Sequence, residues 1–293
     1  VIGFIGSVFS PWYRWSGRKE PQNHCCLNVA TYGPGGRFTM ETTDRGRAAL
    51  RQSPDTLTVG PSRMETHWTG TQLIVEVNEI SSPPLVSPVK GRIVLTPTGI
   101  TDVEVTLKDD GSHIWRPFAP TARIEVDLTQ GHRWHGHGYF DANFGTAALE
   151  ADFRFWTWGR YPVADGAACF YDATRRDGSR LELGLHVAAD RRARLIQPPP
   201  EARFARSRWL VERHTPADPG TRPRQVMETS METLDAPFYS RAMETVETTV
   251  FGQKTVGVHE ALDLRRFRSP LLMETPMETL AVRVPRRPGW SFS

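Results

Sequence analysis

The residues best able to do chemistry lie together between Gly131 and Gly145, in GHRWHGHGYFDANFG. The stretch holds His132, His135, His137, Trp134, Tyr139, Asp141 and Asn143, among glycines that let the backbone bend and other groups come close. On an extended chain Tyr139, Asp141 and Asn143 point to one side. A phenol, a carboxyl and an amide on one face can form one hydrogen-bonded site. If that face lines an apolar cavity, desolvation raises the carboxyl pKa and keeps the acid protonated, as a general acid requires. The competing reading makes Asp141 a turn carboxylate that caps backbone amides. The histidines invite a metal, with His135 and His137 on a common face. A third ligand at good spacing is missing, so no metal site is expected.

A second constellation is SHIWRPFAP, Ser112–Pro120, where His113 and Trp115 share one side of a short extended run. An imidazole and an indole could line the same cavity, and indole faces stabilise cations. The plainer reading is a packed tryptophan beside an exposed loop histidine. His132 and Trp134 repeat the same spacing, so two His-x-Trp pairs compete. Trp156 and Trp158 share a face opposite Phe153 and Phe155, which suggests that one face packs core and the other meets a ligand. His24 beside Cys25 and Cys26 offers a thiol nucleophile, against which stands the inertness of most buried thiols. Nucleophile-elbow, P-loop, HExxH and GxGxxG motifs are missing, so hydrolase, phosphoryl-transfer and dinucleotide chemistry have no support.

The elements that must position these groups alternate with period two. Leu73, Val75 and Val77 face one way in QLIVEVNEI, as do Ile124, Val126 and Leu128 in ARIEVDL. ALEADFRFWTW and RLELGLHV alternate likewise. This pattern predicts half-buried antiparallel strands. The Asp-Gly pair in Arg175–Ser179 predicts a hairpin, and Thr96–Gly99 and Lys108–Ser112 predict further turns. Glu260–Arg268 is the one stretch expected to form a short helix. The chain therefore reads as all-β, with strands at the spacing of barrels or sandwiches. The switch between two units is expected near Thr129–Arg133, giving an N-terminal unit of residues 1–130 and a C-terminal one of 131–293.

All seven methionines are followed by Glu-Thr. That regularity is foreign to ordinary usage and spells a residue name written into one-letter text. The fourteen Glu and Thr residues after the methionines are therefore expected to be absent from the natural chain. Without them it has 279 residues, and the formal charge of +3 becomes +10. The first residue is valine, so the reading frame is expected to begin upstream. Arginine pairs at 175–176, 191–192, 265–266 and 286–287 read as solvated turns or as attraction to an anionic membrane surface. They are scattered and carry no recognition motif, so no nucleic-acid partner is expected. VIGFIGSVF runs into Pro11 and Trp12 without a basic leader, and reads as a buried strand rather than a signal peptide. No apolar run is long enough for a membrane-spanning helix. Three cysteines, two of them adjacent, do not make a disulfide framework, so a reducing compartment is expected.

Several long blocks then resemble one known family. FIGSVFSPWY, NHCCLNVATYG, WRPFAPTARIEV, GHGYFDANFGTAALE and FWTWGR, with HEALDLRRFRSPLL near the C-terminus, are similar to the carotenoid 1,2-hydratases of purple photosynthetic bacteria. The likeness spans essentially the whole chain. It implies two tandem lipocalin-like antiparallel β-barrels, a hydro-lyase that needs no cofactor, and an acyclic carotenoid substrate such as neurosporene or lycopene. It implies Asp141 as catalytic acid, with Tyr139, His113 and Trp115 as partners. Trp134, Asn143, Trp156 and Trp158 are the expected substrate contacts. A peripheral position on the cytoplasmic side of the photosynthetic inner membrane follows from such a substrate. The alternatives are a carrier of a hydrophobic ligand and a related polyene isomerase or cyclase. Neither the preferred carotenoid nor the oligomeric state follows from the residues.

Overall fold

The computed structural model describes residues 1–31, 39–41, 43–67, 71–81, 86–188, 190, 192–226, 233–269 and 282–283. Four short strands open the chain: β1 (Ile2–Ile5), β2 (Cys25–Thr31), β3 (Thr39–Glu41) and β4 (Thr43–Asp44), with helix α1 (Pro11–Trp15) after the first. The first large sheet comprises β5 (Leu50–Gln52), β6 (Thr56–Val59), β7 (Ser62–His67), β8 (Gln72–Ile80), β9 (Pro88–Pro97), β10 (Val105–Thr106), β11 (His113–Leu128) and β12 (His132–Gly145). The short helix α2 (Leu149–Asp152) leads into the second. That sheet opens with β13 (Phe153–Val163), β14 (Gly166–Arg175), β15 (Arg180–Ala188) and β16 (Ala193–Ile196). A separate hairpin, β17 (Glu201–Phe204) and β18 (Arg213–Pro216), follows. The second sheet then resumes with β19 (Arg224–Gln225), β20 (Thr233–Ala236), β21 (Tyr239–Val250) and β22 (Gln253–Asp263). Strand β23 (Val282–Arg283) pairs with β4 in parallel. Both eight-stranded sheets are antiparallel, and neither closes on itself among the described residues. The architecture is all-β and consistent with a lipocalin-like fold.

The alternation becomes burial. In β8 Leu73, Val75 and Val77 are buried while Glu76 is exposed, and with Ile93, Leu95, Val126 and Leu128 they form the core of the first sheet. Arg175–Ser179 is the expected hairpin, with the Asp177 carboxyl accepting the Ser179 backbone N–H at 2.8 Å and Gly178 at φ +93°. The tight turn of Thr129–Gly131 joins β11 to β12, which pair from Leu128↔His132 to His113↔Gly145. The expected division near residue 130 thus falls at a hairpin tip, and the chain passes to the second sheet only at α2.

Two local expectations differ from the structure. Glu260–Arg268 is not a helix: Glu260–Asp263 ends β22, where ladders to β13 and β21 satisfy the backbone. Only Arg266–Arg268 coils, as one 3-10 turn. Leu149–Asp152 does not extend the alternating strand that follows it, because the chain turns there between the sheets. A bulge between Phe153 and Phe155 then shifts the register, so Phe153 joins Trp158 in one core cluster while Phe155 packs in another.

The ladder of β21 bears on the Glu-Thr pairs. Ala242 pairs with His259 and Val246 with Gly257, so β21 has two residues more than β22 between these pairs. Removing Glu244 and Thr245 would let the register run unbroken. A variant lacking both should melt at the same temperature as the parent or higher, as followed by circular dichroism. A drop of several degrees would show that the bulge is native.

Candidate active site

The site is built where the β11–β12 hairpin meets the inner face of the second sheet. Trp115 on β11 is fully buried, and its indole N–H donates to Asp141 Oδ2 on β12 at 2.8 Å. The two strands are ladder partners, with Trp115 opposite Asn143, so the bond joins neighbouring positions of one hairpin. Tyr139 lies one residue pair further along the same face, and its hydroxyl oxygen is buried. That hydroxyl has no hydrogen bond of good geometry to a described residue, yet it sits close enough to the carboxyl for each group to bias the other's proton. The Tyr139 ring packs on Trp158 of β13 with centroids 5.0 Å apart. Trp115 contacts Tyr171 of β14 at 5.8 Å, and Tyr171 stacks on Trp156 at 5.6 Å. A carboxyl is thus set in a nest of indole and phenol rings.

The nest sets the acidity. Desolvation, the largest effect, pushes the Asp141 carboxyl up to about 6, against the lowering influence of the Trp115 hydrogen bond and the nearby Tyr139 hydroxyl. Glu260 adds to the rise and Arg241 opposes it, and these two pair with each other at 2.6 Å. Burial and the neighbouring Asp141 charge push the Tyr139 phenol well above its ordinary value, so it stays a neutral donor. The indole nitrogens of Trp156 and Trp158 are buried and make no hydrogen bond with described residues. Arg160, only 6 % exposed, donates to the Pro120 carbonyl at 2.6 Å and lies 5.8 Å from the Tyr139 ring centroid. It thereby ties β13 to the hairpin.

His113 is on the same buried face of β11, two residues or roughly 7 Å from Trp115. Its Nε2 is 2.8 Å from Asp152 Oδ2, and its ring meets Phe153 edge-on. Lys108 Nζ donates to the other Asp152 oxygen at 2.7 Å. Although burial works against it, these hydrogen bonds hold the Asp152 carboxyl below its ordinary value. Asp152 therefore orients the imidazole as an ionised partner.

The structure brings together Asp141, Tyr139, Trp115, Trp156 and Trp158, with His113 adjacent. Asn143 faces Trp115 across the ladder but is exposed. Trp134 is not brought in: it is 49 % exposed and seven residues up the strand, about 23 Å from Asp141. Of the two His-x-Trp pairs, the one at 113 and 115 brings its indole to Asp141, while its imidazole contacts Asp152. His135 and His137 are exposed. Among described residues the one group spaced for a metal is Asp172, Glu201 and His214, outside this site, where Arg180 bridges the two carboxylates. Burial pushes the thiols of Cys25, Cys26 and Cys169 up to about 11, 12 and 12, which makes poor nucleophiles of them. Tyr171, Asp152, Arg160 and the Arg241–Glu260 pair were missed in the sequence. Each reaches the site from a partner strand or helix, and spacing along the chain carries no signal for that.

The raised Asp141 pKa has a stability consequence. The unfolded chain releases this proton near pH 4, whereas the folded protein holds it to about pH 6. Folding therefore loses free energy as pH rises through that window, on the order of 1–3 kcal/mol in all. Asp141→Asn should accordingly melt above the parent at pH 8 and level with it at pH 4. Equal melting at both values would mean that Asp141 titrates as an ordinary surface carboxylate.

The family model described as carotenoid hydratase CrtC matches residues 1–293. A protein of Cereibacter sphaeroides named acyclic carotenoid 1,2-hydratase is 94 % identical over 293 residues, covering all of both chains. One of the same name from Rhodobacter capsulatus is 56 % identical over 291 residues, covering 99 % of each. Another so named, from Thiocapsa roseopersicina, is 42 % identical over 296 residues, covering 99 % of this chain and 69 % of that one.

Proposed function

The chain belongs to the carotenoid hydratase family, and from that premise we propose that it adds water across the terminal double bond of an acyclic carotenoid, with Asp141 as the acid. The observation that carries the mechanism is the indole N–H of Trp115 on a carboxyl whose pKa is raised to about 6. Roughly a tenth of such a carboxyl is protonated at pH 7, and that form is the reactive one.

Water does not attack an isolated trisubstituted alkene, so protonation comes first. Asp141 delivers its proton to the less substituted carbon, and the double-bond electrons form the new C–H bond. The tertiary cation that results sits against the carboxylate just formed and the faces of Trp115, Tyr139 and Trp158. These groups are already oriented, so stabilising the charge costs little reorganisation. A water held by the Tyr139 hydroxyl or His113 attacks the cation and forms the C–O bond. Its proton returns to Asp141, and a tertiary alcohol leaves. Asp152 holds the imidazole of His113 in position throughout. Hydration involves no net oxidation or reduction, so the reaction calls for no redox cofactor.

A polyene hydrocarbon dissolves in membrane rather than water. The same reading therefore has the protein working peripherally at the cytoplasmic side of the photosynthetic inner membrane, with neurosporene or lycopene as substrate. No helix among the described residues is long and apolar enough to cross a membrane.

Incubation with lycopene in detergent and oxygen-18 water, followed by mass spectrometry, tests the reaction. The expected product is a labelled tertiary alcohol, lost by at least a hundredfold in Asp141→Asn. Its kcat/KM should fall as pH rises through about 6, where the acid form disappears. Trp115→Phe removes a bond that favours the carboxylate, so its falling limb should move to higher pH. Bound but unchanged lycopene would instead make the protein a carrier, a product without added oxygen would make it an isomerase or cyclase, and activity surviving in Asp141→Asn would mean another acid.

A further inference from the structure

Large apolar side chains stand exposed at one end of the second sheet. Trp15, at the end of α1, is 60 % exposed and held edge-on to Trp12 at 4.9 Å. Trp209 and Leu210 are 43 % and 59 % exposed at the tip of a tight turn, closed by Leu210 N–H to Ser207 O at 2.9 Å and Val211 N–H to Ser207 Oγ at 3.2 Å. Leu210 adopts φ +61°, a left-handed conformation that favours glycine or asparagine. A strained leucine held out in water costs stability without any gain in packing, and such strain concentrates where a side chain has a use.

The two apolar features belong to one surface. Arg14, beside Trp15, donates to the carbonyls of Arg268 and Ser269 at 2.8 and 3.4 Å. Arg266, in the same turn, donates to the carbonyls of Trp209 and Leu210 at 2.6 and 3.4 Å. Around them gather Arg206, Arg208, Arg265 and Arg268. The acids nearby are Asp263, which faces Arg265 and Arg266, Glu212, which pairs with Arg206, and Asp235, which accepts the Arg208 backbone N–H. Arginines still outnumber them. The neighbouring Arg176 is held below its ordinary pKa by its burial and then by Arg268, Arg154 and Arg265, so this end of the fold concentrates positive charge.

This end also adjoins the site. Arg176 donates to Leu264 O, just before the basic turn, and its backbone N–H bonds Asp152 O. Asp152 in turn holds His113. On the other side Arg18, three residues past Trp15, pairs with Glu150 of α2. The geometry points to this face, Trp15 with Trp209 and Leu210 ringed by arginines, as the surface by which the protein docks on an anionic bilayer. Tryptophan suits the headgroup boundary, and basic residues add attraction to anionic lipid within a Debye length. Docked there, the enzyme would have its catalytic hairpin next to the membrane that holds the substrate. The proposal rests on the carotenoid reading for its purpose but not for its test.

The test is co-sedimentation of the full chain with vesicles of phosphatidylglycerol and phosphatidylcholine, and with phosphatidylcholine alone. Binding should favour the anionic vesicles and weaken as salt rises. Trp209→Ser with Leu210→Ser, and separately Trp15→Ser, should each lower the partition coefficient about tenfold. Trp134→Ser, an equally exposed tryptophan far from this face, should bind as the parent does. Parent-like binding by the Trp209/Leu210 and Trp15 variants would overturn the proposal, as would an equal loss in Trp134→Ser or binding indifferent to lipid charge. Turnover of carotenoid in detergent micelles should stay unchanged in the face variants. If no form turns carotenoid over, the hydratase reading fails while the vesicle result still decides the docking face.

Discussion

One hydrogen bond organises the candidate site: the Trp115 indole on the Asp141 carboxyl. Both partners stand on the same hairpin, so their approach is set by ladder register rather than by loops. The hairpin is long enough to take part in two cores. Leu128 and Val126 pack with the first sheet, while Trp115 and Tyr139 pack with the second. Register shifts between Arg116, Ala119 and Ala122 fall between those two duties and let one strand serve both.

The placement is costly and useful for one reason. A carboxyl among indoles and phenols loses hydration that the Trp115 hydrogen bond and the nearby Tyr139 hydroxyl only partly replace, so it keeps its proton to a higher pH. A stable fold would avoid such a group, whereas an acid catalyst working near neutrality needs it. The rings that desolvate the acid are also the faces that can stabilise a cation formed beside it. The indole N–H groups of Trp156 and Trp158 and the buried Tyr139 hydroxyl likewise make no hydrogen bond with described residues, so polarity close to the carboxyl is left unsatisfied within the fold.

His113 works at one remove. Its Nε2 contacts Asp152, which Lys108 also holds, so the imidazole is oriented from the α2 side while the acid is oriented from the hairpin. The two halves of the site are therefore supported by different elements. The basic turn at Arg266–Arg268 and the exposed Trp15, Trp209 and Leu210 lie just beyond that support.

The sequence by itself determined the all-β class, because period-two alternation depends only on neighbours along the chain. It also determined the hairpin at Arg175–Ser179, since an Asp-Gly pair carries its own turn geometry, and the common face of Tyr139 and Asp141, since strand periodicity places them there. Resemblance of long blocks pointed to the acid and its tyrosine. The tertiary structure decided the rest. It brought the Trp115 indole to Asp141 and left Trp134 exposed, although the pairs 113/115 and 132/134 share the same spacing, because only cross-strand register brings an indole to Asp141. It turned Glu260–Asp263 into strand, because two neighbouring ladders outweigh weak local helix preference. It supplied Tyr171, Asp152 and Arg160, which approach from other elements and leave no trace in spacing. The pKa of Asp141 belongs with them, since desolvation is a sum over atoms that only the folded chain assembles.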